Sequence, residues 1–352
     1  MEILKKVRSN VQKLKPYSSA RDEFSGKARV MLDANENAFG SAEKSDWSRY
    51  PDPYQRLLKE KIAVLKNVRP EQIFLGNGSD EAIDLFIRAF CEPGKDALAL
   101  HEPTYGMFRV AADINDTRVN SFLLNDDFSL DPKKALEAVD DNTKMMIICS
   151  PNNPSANAFD ADAILEIVRG FNGIVMVDEA YIDFCPERSI LHELNNYENL
   201  VVINTFSKAW GLAGLRLGMA FAHPEIIKVL NKIKYPYNIS DVTKQLALNA
   251  FENINKMHAM VDAILKQREK LIRSLEKIEI IQEVFPSDTN FLLVRFEQCS
   301  ELFSYLREHG IIVRDRSKLP LCENCLRITV GTPEENELLV TAIKDFTHME
   351  GA

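Results

Sequence analysis

The chain has 352 residues, of which 45% are apolar and 27% are charged, so it can bury large cores in one or two α/β units. Its net charge of −9 and isoelectric point near 5.4 disfavour a nucleic-acid-binding surface, because affinity for phosphate backbones depends on clustered Lys and Arg. No window approaches ~18 apolar residues and the first residues lack the apolar core of a secretory signal, which disfavours a membrane protein and makes the cytoplasm the expected location.

The first part of the chain has weak hydrophobic periodicity and several turn signals. We therefore expect residues 1–45 to form an N-terminal arm that packs on another surface. The smaller C-terminal unit described below is the surface we expect, and a partner subunit is a further candidate.

Seven short apolar runs follow, separated by stretches with helical spacing such as Ile83, Ile87 and Phe90, or Tyr54, Leu57, Leu58, Ile62 and Leu65. Such alternation predicts a mostly parallel, helix-covered, seven-stranded sheet in a large α/β domain over residues 46–250. The runs are IFLG at 73, ALAL at 97, VNSFLL at 119, MMIICS at 145, GIVMVDE at 173, VVINTFSK at 201 and LGMAFA at 217.

A long helical pattern covers residues 241–276, and three further strand-like runs come after it. These runs are NFLLVRF at 290, GIIVRD at 310 and CLRITVG at 325. They predict a smaller α/β C-terminal domain over residues 251–352, joined to the large domain by helix because no Gly/Ser linker intervenes.

The six cysteines are scattered, and several lie in apolar runs, so we expect reduced and partly buried thiols. Only Cys322 and Cys325 form a CxxC pair, which we interpret as a loop before a strand. The chain has no second CxxC or paired histidines to complete a tetrahedral zinc site, and its histidines show no HExxH spacing, so no metal is expected.

The polar residues that follow each apolar run are the candidates for chemistry, because ligands bind outside the carboxyl ends of parallel strands. The run at 73 leads into Gly76–Glu81, a small-residue turn before a helix that suits a phosphate, although Ser79 or Asp80 could instead be a helix N-cap. Asp178 follows another run, where an isolated acid is more often a structural partner. Lys208 follows a third, and a lone Lys is normally solvated.

Together these residues predict a pyridoxal 5'-phosphate site. A desolvated Lys208 would form an imine with the cofactor aldehyde, and Asp178 would keep the ring nitrogen protonated. Tyr181 and Asn153 would bond the ring hydroxyl, while Tyr105 would stack on the ring. The cofactor phosphate would contact a group of polar side chains: Ser79, Asp80, Thr205, Ser207 and Arg216.

Four motifs carry a resemblance to the fold-type I pyridoxal-phosphate enzymes over nearly the whole chain. They are HEPTYGMF at 101, CSPNNPS at 149, VDEAYIDF at 177 and TFSKAWGLAGLRLG at 205. The last has its imine lysine and phosphate arginine eight residues apart, as Lys208 and Arg216 are. Many members have Asn-Pro-Thr-Gly where this chain has Asn153-Pro154-Ser155-Ala156, which puts only the local turn geometry in doubt.

A more specific resemblance is to the histidinol-phosphate aminotransferase family. Its motifs here are LKPYSSARDEF at 14, LDANENAFG at 32, RYPDP at 49, GNGSDEAIDLFIRAFCEPG at 76 and LRITVGT at 326. The resemblance implies a transaminase of histidine biosynthesis that converts L-histidinol phosphate and 2-oxoglutarate, through the Lys208 imine, to imidazole-acetol phosphate and L-glutamate.

Further roles for five residues rest on this resemblance alone. It implies that Arg327, assisted by Arg314, binds the 2-oxoglutarate carboxylate and the substrate phosphate in turn, and that Tyr17 and Asn153 line the substrate side. It also implies a homodimer in which Tyr50 reaches the cofactor phosphate of the neighbouring subunit.

Other functions remain open at this point. Aromatic or broad-specificity aminotransferases and threonine-phosphate decarboxylases share the central motifs. A non-catalytic dinucleotide- or phosphate-binding protein also has a parallel sheet and a glycine turn. It is disfavoured because Glu81 stands where GxGxxG needs its third glycine, and no GxxxxGK[ST] occurs.

Overall fold

The chain is described by a computed structural model over residues 2–17 and 29–350. Its helices are α1 (Glu2–Lys5), α2 (Ser9–Lys13), α3 (Arg56–Lys66), α4 (Gly78–Phe90), α5 (Met107–Ile114), α6 (Pro132–Glu137), α7 (Ala161–Gly170), α8 (Pro224–Ile233), α9 (Asp241–Glu252), α10 (Ile254–Leu275), α11 (Cys299–Glu308) and α12 (Pro333–Glu350). Short 3-10 helices lie between several of them.

The large sheet has seven strands, as the apolar runs predict. They are β1 (Ile73–Asn77), β2 (Ala97–Glu102), β3 (Arg118–Leu123), β4 (Thr143–Cys149), β5 (Ile174–Asp178), β6 (Leu200–Thr205) and β7 (Leu217–Phe221). Their order is β1-β7-β6-β5-β4-β2-β3. Only β7 runs antiparallel to its neighbours β1 and β6. The predicted α/β class with a mostly parallel sheet is confirmed.

Helices cover this sheet through their apolar faces. Ile83, Ile87 and Phe90 of α4 are all buried, as their helical spacing predicts. In α3 the same holds for Leu58 and Ile62, but the prediction that the helix includes Tyr54 is wrong. The helix begins at Arg56, because Gln55 has a left-handed backbone conformation with a φ of 52°.

A second sheet of four antiparallel strands follows α9 and α10. Its strands are β8 (Ile281–Val284), β9 (Phe291–Phe296), β10 (Arg314–Asp315) and β11 (Cys325–Thr329), in the order β10-β11-β9-β8. The predicted strands at 290 and 325 are present as β9 and β11. The run at 310 is a strand only at its last two residues, and β8 was not predicted.

The two faces of the second sheet pack on different parts of the protein. Leu292, Val294, Leu326 and Ile328 form a core with apolar residues of α10, α11 and α12. Because alternate strand residues point to opposite faces, Leu293 and its register partner Arg327 lie on the other face. That face joins the core of the large sheet, in which Leu293 is buried.

The N-terminal segment packs on the large unit. Ile3, Val7 and Val11 are buried in a core shared with α4 and α8, and the backbone N–H of Arg8 donates to the carbonyl of Ala89 at 2.9 Å. The expectation that the arm packs with the smaller unit is therefore wrong for residues 3–11, because their apolar side chains are buried against α4 and α8 of the large unit. Residues 18–28, which include most of LKPYSSARDEF, lie outside the described residues.

All six cysteines are buried free thiols, in agreement with the prediction, and Cys322 lies in a loop that ends where β11 begins at Cys325. Across residues 2–17 and 29–350, no helix has the length and apolar character needed to cross a membrane. In the same ranges, no group of three or more His, Cys, Asp or Glu side chains is arranged to hold a metal ion.

Candidate active site

A cavity opens at the carboxyl edge of the large sheet, where β1, β4, β5 and β6 end. It holds about 580 Å³ of empty space, part of which is open to solvent. Ten residues that the sequence singled out line it: Ser79, Asp80, Tyr105, Asn153, Asp178, Tyr181, Thr205, Ser207, Lys208 and Arg216. Gly78, Cys149 and Ala180 complete the lining. The separate strand ends therefore do meet at one site.

Lys208 lies three residues beyond the end of β6, in a turn fixed by Thr205. The hydroxyl of Thr205 accepts from the backbone N–H of Ser207 at 3.1 Å and donates to the Ser207 hydroxyl at 2.9 Å. The Nζ of Lys208 lies 5.3 Å from the centroid of the Tyr181 ring. Burial, followed by the nearby cation of Arg327, lowers the pKa of Lys208. A larger fraction of this amine is therefore neutral and nucleophilic than in water.

Asp178 is the last residue of β5 and is only 3% exposed. The backbone N–H of Ala180 donates to its Oδ1 at 2.9 Å. Burial raises the pKa of Asp178 to about 7, although this hydrogen bond and the Lys208 cation act in the opposite direction. A buried carboxylate whose pKa is raised in this way favours a cation as its partner, since a positive charge offsets the loss of solvation.

Two phenols border the cavity, and both stay protonated near neutral pH. Burial raises the pKa of Tyr105 to about 12 and that of Tyr181 well above its ordinary value. The Tyr181 ring packs edge-on against Phe291, with centroids 5.1 Å apart. Tyr105 packs in the same way against Phe108 at 5.4 Å. Both rings are thus held by packing, and their hydroxyls are free to donate.

The loop after β1 and the residue before β7 form a tight cradle. The backbone N–H of Gly78 donates to the Arg216 carbonyl at 2.7 Å, and Nη2 of Arg216 lies 3.2 Å from Oδ2 of Asp80. A Cβ on Gly78 would come within 2.6 Å of that Nη2, and the φ of Gly78 is +74°. A Cβ on Gly218 would lie 2.1 Å from the backbone nitrogen of Ser79. Only glycine fits these positions.

The N-cap interpretation of Ser79 and Asp80 is wrong. Helix α4 begins at Gly78 with Asn77 as its N-cap, and no side chain caps it. Ser79 and Asp80 thus lie in the first turn, where backbone N–H groups lack helical partners and attract anions. With the guanidinium of Arg216 beside them, these groups suit a phosphate.

The donor set fits pyridoxal phosphate. An amine of lowered pKa, a buried carboxylate that favours a cation and a cradle with N–H and guanidinium donors match its aldehyde, its ring nitrogen and its phosphate. Lys208, Asp178 and Arg216 would hold these three groups respectively. Cys149 and Asp178 are register partners on β4 and β5, so the carboxylate has a rigid support.

Arg327 of β11 reaches the cavity edge from the smaller sheet. Its Nη1 donates to Oδ1 of Asn153 at 2.6 Å, and its guanidinium lies 5.3 Å from the centroid of the Phe291 ring. Burial lowers the pKa of Arg327, and the facing cation of Arg314 adds to that effect. Arg314 is the register partner of Arg327 on β10 and is exposed.

Four residues that the sequence singled out do not line the cavity, namely Arg314, Arg327 and two tyrosines. Tyr17 is 74% exposed. Tyr50 is 50% exposed and stacks on Tyr237, with ring centroids 4.4 Å apart. Neither tyrosine lines the cavity within the single described chain.

The backbone accommodates Ser155 and Ala156, which stand where many family members have Thr and Gly. Ala156 is buried with a left-handed φ of 72°, a conformation for which the family's glycine is better suited. Its carbonyl accepts from the N–H of Asp288 at 2.8 Å, and the N–H of Ala156 donates to Asn152 at 2.9 Å. These bonds fix the turn that presents Asn153.

His101 is a site residue that the sequence did not single out. It is fully buried at the end of β2, and burial lowers its pKa to about 3, so it is neutral. Its Nε2 accepts from the backbone N–H of Cys149 at 3.1 Å, so Nδ1 carries the proton and donates to the Pro103 carbonyl at 3.2 Å. It thereby joins the loops that carry Tyr105 and Asn153. Its place within HEPTYG was the only signal.

The fold and this site define an aminotransferase of class I and II. The model of that family, described as "Aminotransferase class I and II", matches residues 21–343. The histidinol-phosphate aminotransferase of Cytophaga hutchinsonii is 51% identical over 97% of this chain and 98% of its own length. That of Parabacteroides distasonis is 51% identical over 96% of this chain and 97% of its own. The chain belongs to the histidinol-phosphate aminotransferase family.

A solved structure has the same fold. It is histidinol-phosphate aminotransferase from Sinorhizobium meliloti in complex with pyridoxal-5'-phosphate, with a TM-score of 0.79, 24% identity and coverage of 90% of each chain. Family membership and the donor set agree that the cofactor of this enzyme is pyridoxal 5'-phosphate.

Proposed function

We propose that this aminotransferase transfers an amino group between L-histidinol phosphate and 2-oxoglutarate in histidine biosynthesis. The observation that carries the proposal is the contact between Arg327 and Asn153, which brings a half-buried guanidinium to the edge of the cavity that Lys208 and Asp178 line. A phosphate-bearing amine without an α-carboxylate needs such a cation, because its own anionic group must be bound there. The names of the 51% identical relatives support the same substrate.

Two residues carry the chemistry, with Lys208 as the base and Asp178 as the electrostatic partner of the cofactor ring. Bound pyridoxal phosphate supplies an aldehyde that condenses with amines and a ring that withdraws electrons from the substrate carbon. The Nζ of Lys208 takes the proton from that carbon and returns it to the carbon on the other side of the transferred amino nitrogen. The lowered pKa of Lys208 helps this proton transfer. The carboxylate of Asp178 stabilises positive charge at the ring nitrogen.

The substrate anions use one group of cations in turn. In a ping-pong reaction the two substrates occupy the same pocket, so Arg327 with Arg314 would bind the substrate phosphate in one half-reaction and the distal carboxylate of 2-oxoglutarate in the other. Asn153 orients Arg327 through their hydrogen bond. We place Tyr17 on the substrate side, where its exposed phenol would be covered on binding.

We also propose a homodimer in which Tyr50 completes the neighbouring subunit's cofactor site. Several large apolar side chains near Tyr50 in sequence are exposed, including Val30 at 71%, Leu32 at 84% and Phe39 at 101%. Such a concentration is typical of a surface that another subunit covers. The buried free thiols fit a reducing compartment, and we propose the cytoplasm.

The substrate proposal is tested by spectra and turnover. Purified enzyme is expected to be yellow, borohydride is expected to fix the cofactor on Lys208, and histidinol phosphate is expected to be the preferred amino donor. Lys208→Ala should abolish turnover and keep the fold, while Lys228→Ala, which removes a surface lysine paired with Glu225, should leave both turnover and fold unchanged. Brisk turnover of phenylalanine or tyrosine without turnover of histidinol phosphate would reject the substrate assignment.

The dimer proposal is tested by complementation. Lys208→Ala and Tyr50→Ala proteins should each be weakly active or inactive alone. A mixture allowed to exchange subunits should regain activity, because one of the two sites then has Lys208 from one subunit and Tyr50 from the other. If the mixture stays as inactive as its parents although light scattering shows mixed dimers, Tyr50 does not act across the interface.

A further inference from the structure

A third arginine lies on the same face of the smaller sheet as the two that were singled out. Arg314 faces Arg327 in the β10–β11 ladder, and the N–H of Arg316 donates to the Cys325 carbonyl at 2.9 Å, which continues that ladder by one residue beyond Asp315. Because alternate residues of a strand point to the same side, Arg314 and Arg316 project from one face. Arg327 projects from that face too and contacts Asn153 at the cavity edge.

This cluster of Arg314, Arg316 and Arg327 holds like charges without neutralising partners. Within residues 2–17 and 29–350, none of the three forms an ion pair with a carboxylate. Asp315 points to the opposite face, and its Oδ1 accepts from the N–H and the hydroxyl of Ser317 at 2.8 and 2.6 Å. Burial, followed by the cations of Arg327 and Arg314, lowers the pKa of Arg316 to about 10.

The hydrogen-bonding capacity of Arg316 is almost unused. Its Nε is buried and has no partner, and its Nη1 makes only a long bond of 3.5 Å to the Asp315 carbonyl. A guanidinium has five N–H donors, and its buried donors are normally paired. A half-buried cation with spare donors, beside two others, is the environment that an anion with several oxygens would complete.

We propose that Arg316 is a specificity-determining residue, which joins Arg314 and Arg327 to bind the substrate phosphate and favours that dianion over a carboxylate. A phosphate monoester carries nearly two charges and three acceptor oxygens, so it uses more guanidinium donors than one arginine offers. A carboxylate carries one charge and two oxygens, which a single arginine can bind in bidentate fashion. Arg316 therefore contributes more to the phosphorylated substrate than to 2-oxoglutarate. This inference rests on the proposed function.

The test is Arg316→Gln in the cofactor-loaded enzyme, with Arg273→Gln as the control. Arg273 is an exposed arginine of α10 beside Glu269, so its replacement removes the same charge from a different surface. We expect Arg316→Gln to raise KM for histidinol phosphate by about tenfold or more, the usual effect of losing a charge-assisted hydrogen bond. The KM for 2-oxoglutarate should rise by less than about threefold, and Arg316→Lys should recover part of the loss. Arg273→Gln should change neither value.

A second measurement does not depend on the natural substrate. Inorganic phosphate should compete with glutamate for the loaded enzyme, and Arg316→Gln should weaken that inhibition by about tenfold, while Arg273→Gln should not. Equal changes for phosphate and carboxylate ligands would overturn the inference and indicate a structural role. No change in the correctly folded Arg316→Gln protein would also overturn it, because Arg316 would then not contact the phosphate. If wild-type enzyme fails to use histidinol phosphate, the proposed substrate is wrong, and the phosphate competition alone then decides the role of Arg316.

Discussion

The Nη1 of Arg327 lies 2.6 Å from Oδ1 of Asn153, so a strand of the smaller sheet and a loop of the large sheet share a hydrogen bond at the edge of the active site. Asn153 borders the cofactor cavity, whereas Arg327 lies on the face of the smaller sheet that is turned towards it. The arginine that we propose for substrate binding is therefore in direct contact with a residue that lines the cavity proposed for the cofactor.

Arg327→Gln should impair both half-reactions. The amide can still bond Asn153, but it lacks the charge that binds phosphate and carboxylate. Loss of a charged hydrogen bond costs about 1.5–3 kcal/mol, so KM for each substrate should rise roughly 10- to 100-fold. Single half-reactions with histidinol phosphate and with 2-oxoglutarate, followed by the cofactor spectrum, measure each effect separately. A defect in only one of them would contradict the shared use of Arg327.

Asp178→Asn should change the pH dependence of stability in the cofactor-free protein. The pKa of Asp178 is about 7 in the folded chain and 3.8 as its ordinary value, so its contribution to stability is present below pH 4 and is lost as pH rises through 7. Each pKa unit of difference between the folded and the unfolded chain is worth about 1.4 kcal/mol of stability. The melting temperature of the variant relative to wild type should therefore rise between pH 5 and pH 8.

The control for this experiment is the loaded enzyme. There a cation at the ring nitrogen would stabilise the Asp178 carboxylate, so the wild-type protein should gain more from the cofactor than the Asp178→Asn protein does, and the variant should lose most of its turnover. Glu179, whose pKa burial also raises to about 7, keeps some pH dependence in both proteins. Near-normal rates in the variant would refute the role of Asp178.

His101→Leu should destabilise the protein and loosen the cofactor site. It leaves the N–H of Cys149 without an acceptor, at a cost of about 1–3 kcal/mol, whereas His101→Gln can replace that bond and should cost less. The pKa of His101 is about 3 in the folded chain and 6.5 as its ordinary value, so wild-type stability falls as pH decreases from 6.5 towards 3. Denaturant unfolding at pH 5 and pH 7.5 should show a smaller loss of stability at the lower pH in both variants than in wild type.

Gly218→Ala should displace the phosphate cradle. The added Cβ would lie 2.1 Å from the backbone nitrogen of Ser79 and 2.3 Å from the carbonyl carbon of Gly78, and backbone atoms cannot rotate away. We expect a loss of about 1–3 kcal/mol in stability and weaker cofactor binding, measured by titrating the cofactor-free protein. Gly214→Ala is the matched control, because no atom lies within 4 Å of its added Cβ. If both variants bind cofactor equally, the loop tolerates more movement than we infer.

The sequence predicted the parts of the fold that have strong patterns. All seven strands of the large sheet contain short apolar runs, although Asn120 and Ser121 interrupt the one in β3. Asp178 at the end of β5 and Lys208 beyond the end of β6 both line the cavity. Strand β8 was missed because its residues are partly or fully exposed, so it lacks an apolar run.

Other features depend on tertiary contacts that no local pattern shows. The role of His101 depends on the backbone of Cys149, 48 positions away in the chain. The arm was expected on the smaller unit, but Ile3, Val7 and Val11 face α8, a choice that their spacing alone does not reveal. No local pattern singles out Arg316, which is aligned with Arg314 and Arg327 only through its hydrogen bond to Cys325.

The two faces of the smaller sheet pack on different parts of the protein. Residues that we propose to select the ligand can therefore be changed without disturbing the hydrophobic core on the other face. Leu326 and Ile328 are buried in the hydrophobic core on one side of this sheet, while the intervening Arg327, which we propose binds the substrate anion, lies on the other side. Directed evolution could therefore redesign which anions the enzyme accepts by altering every second position along β11 and the end of β10, without repacking the other side.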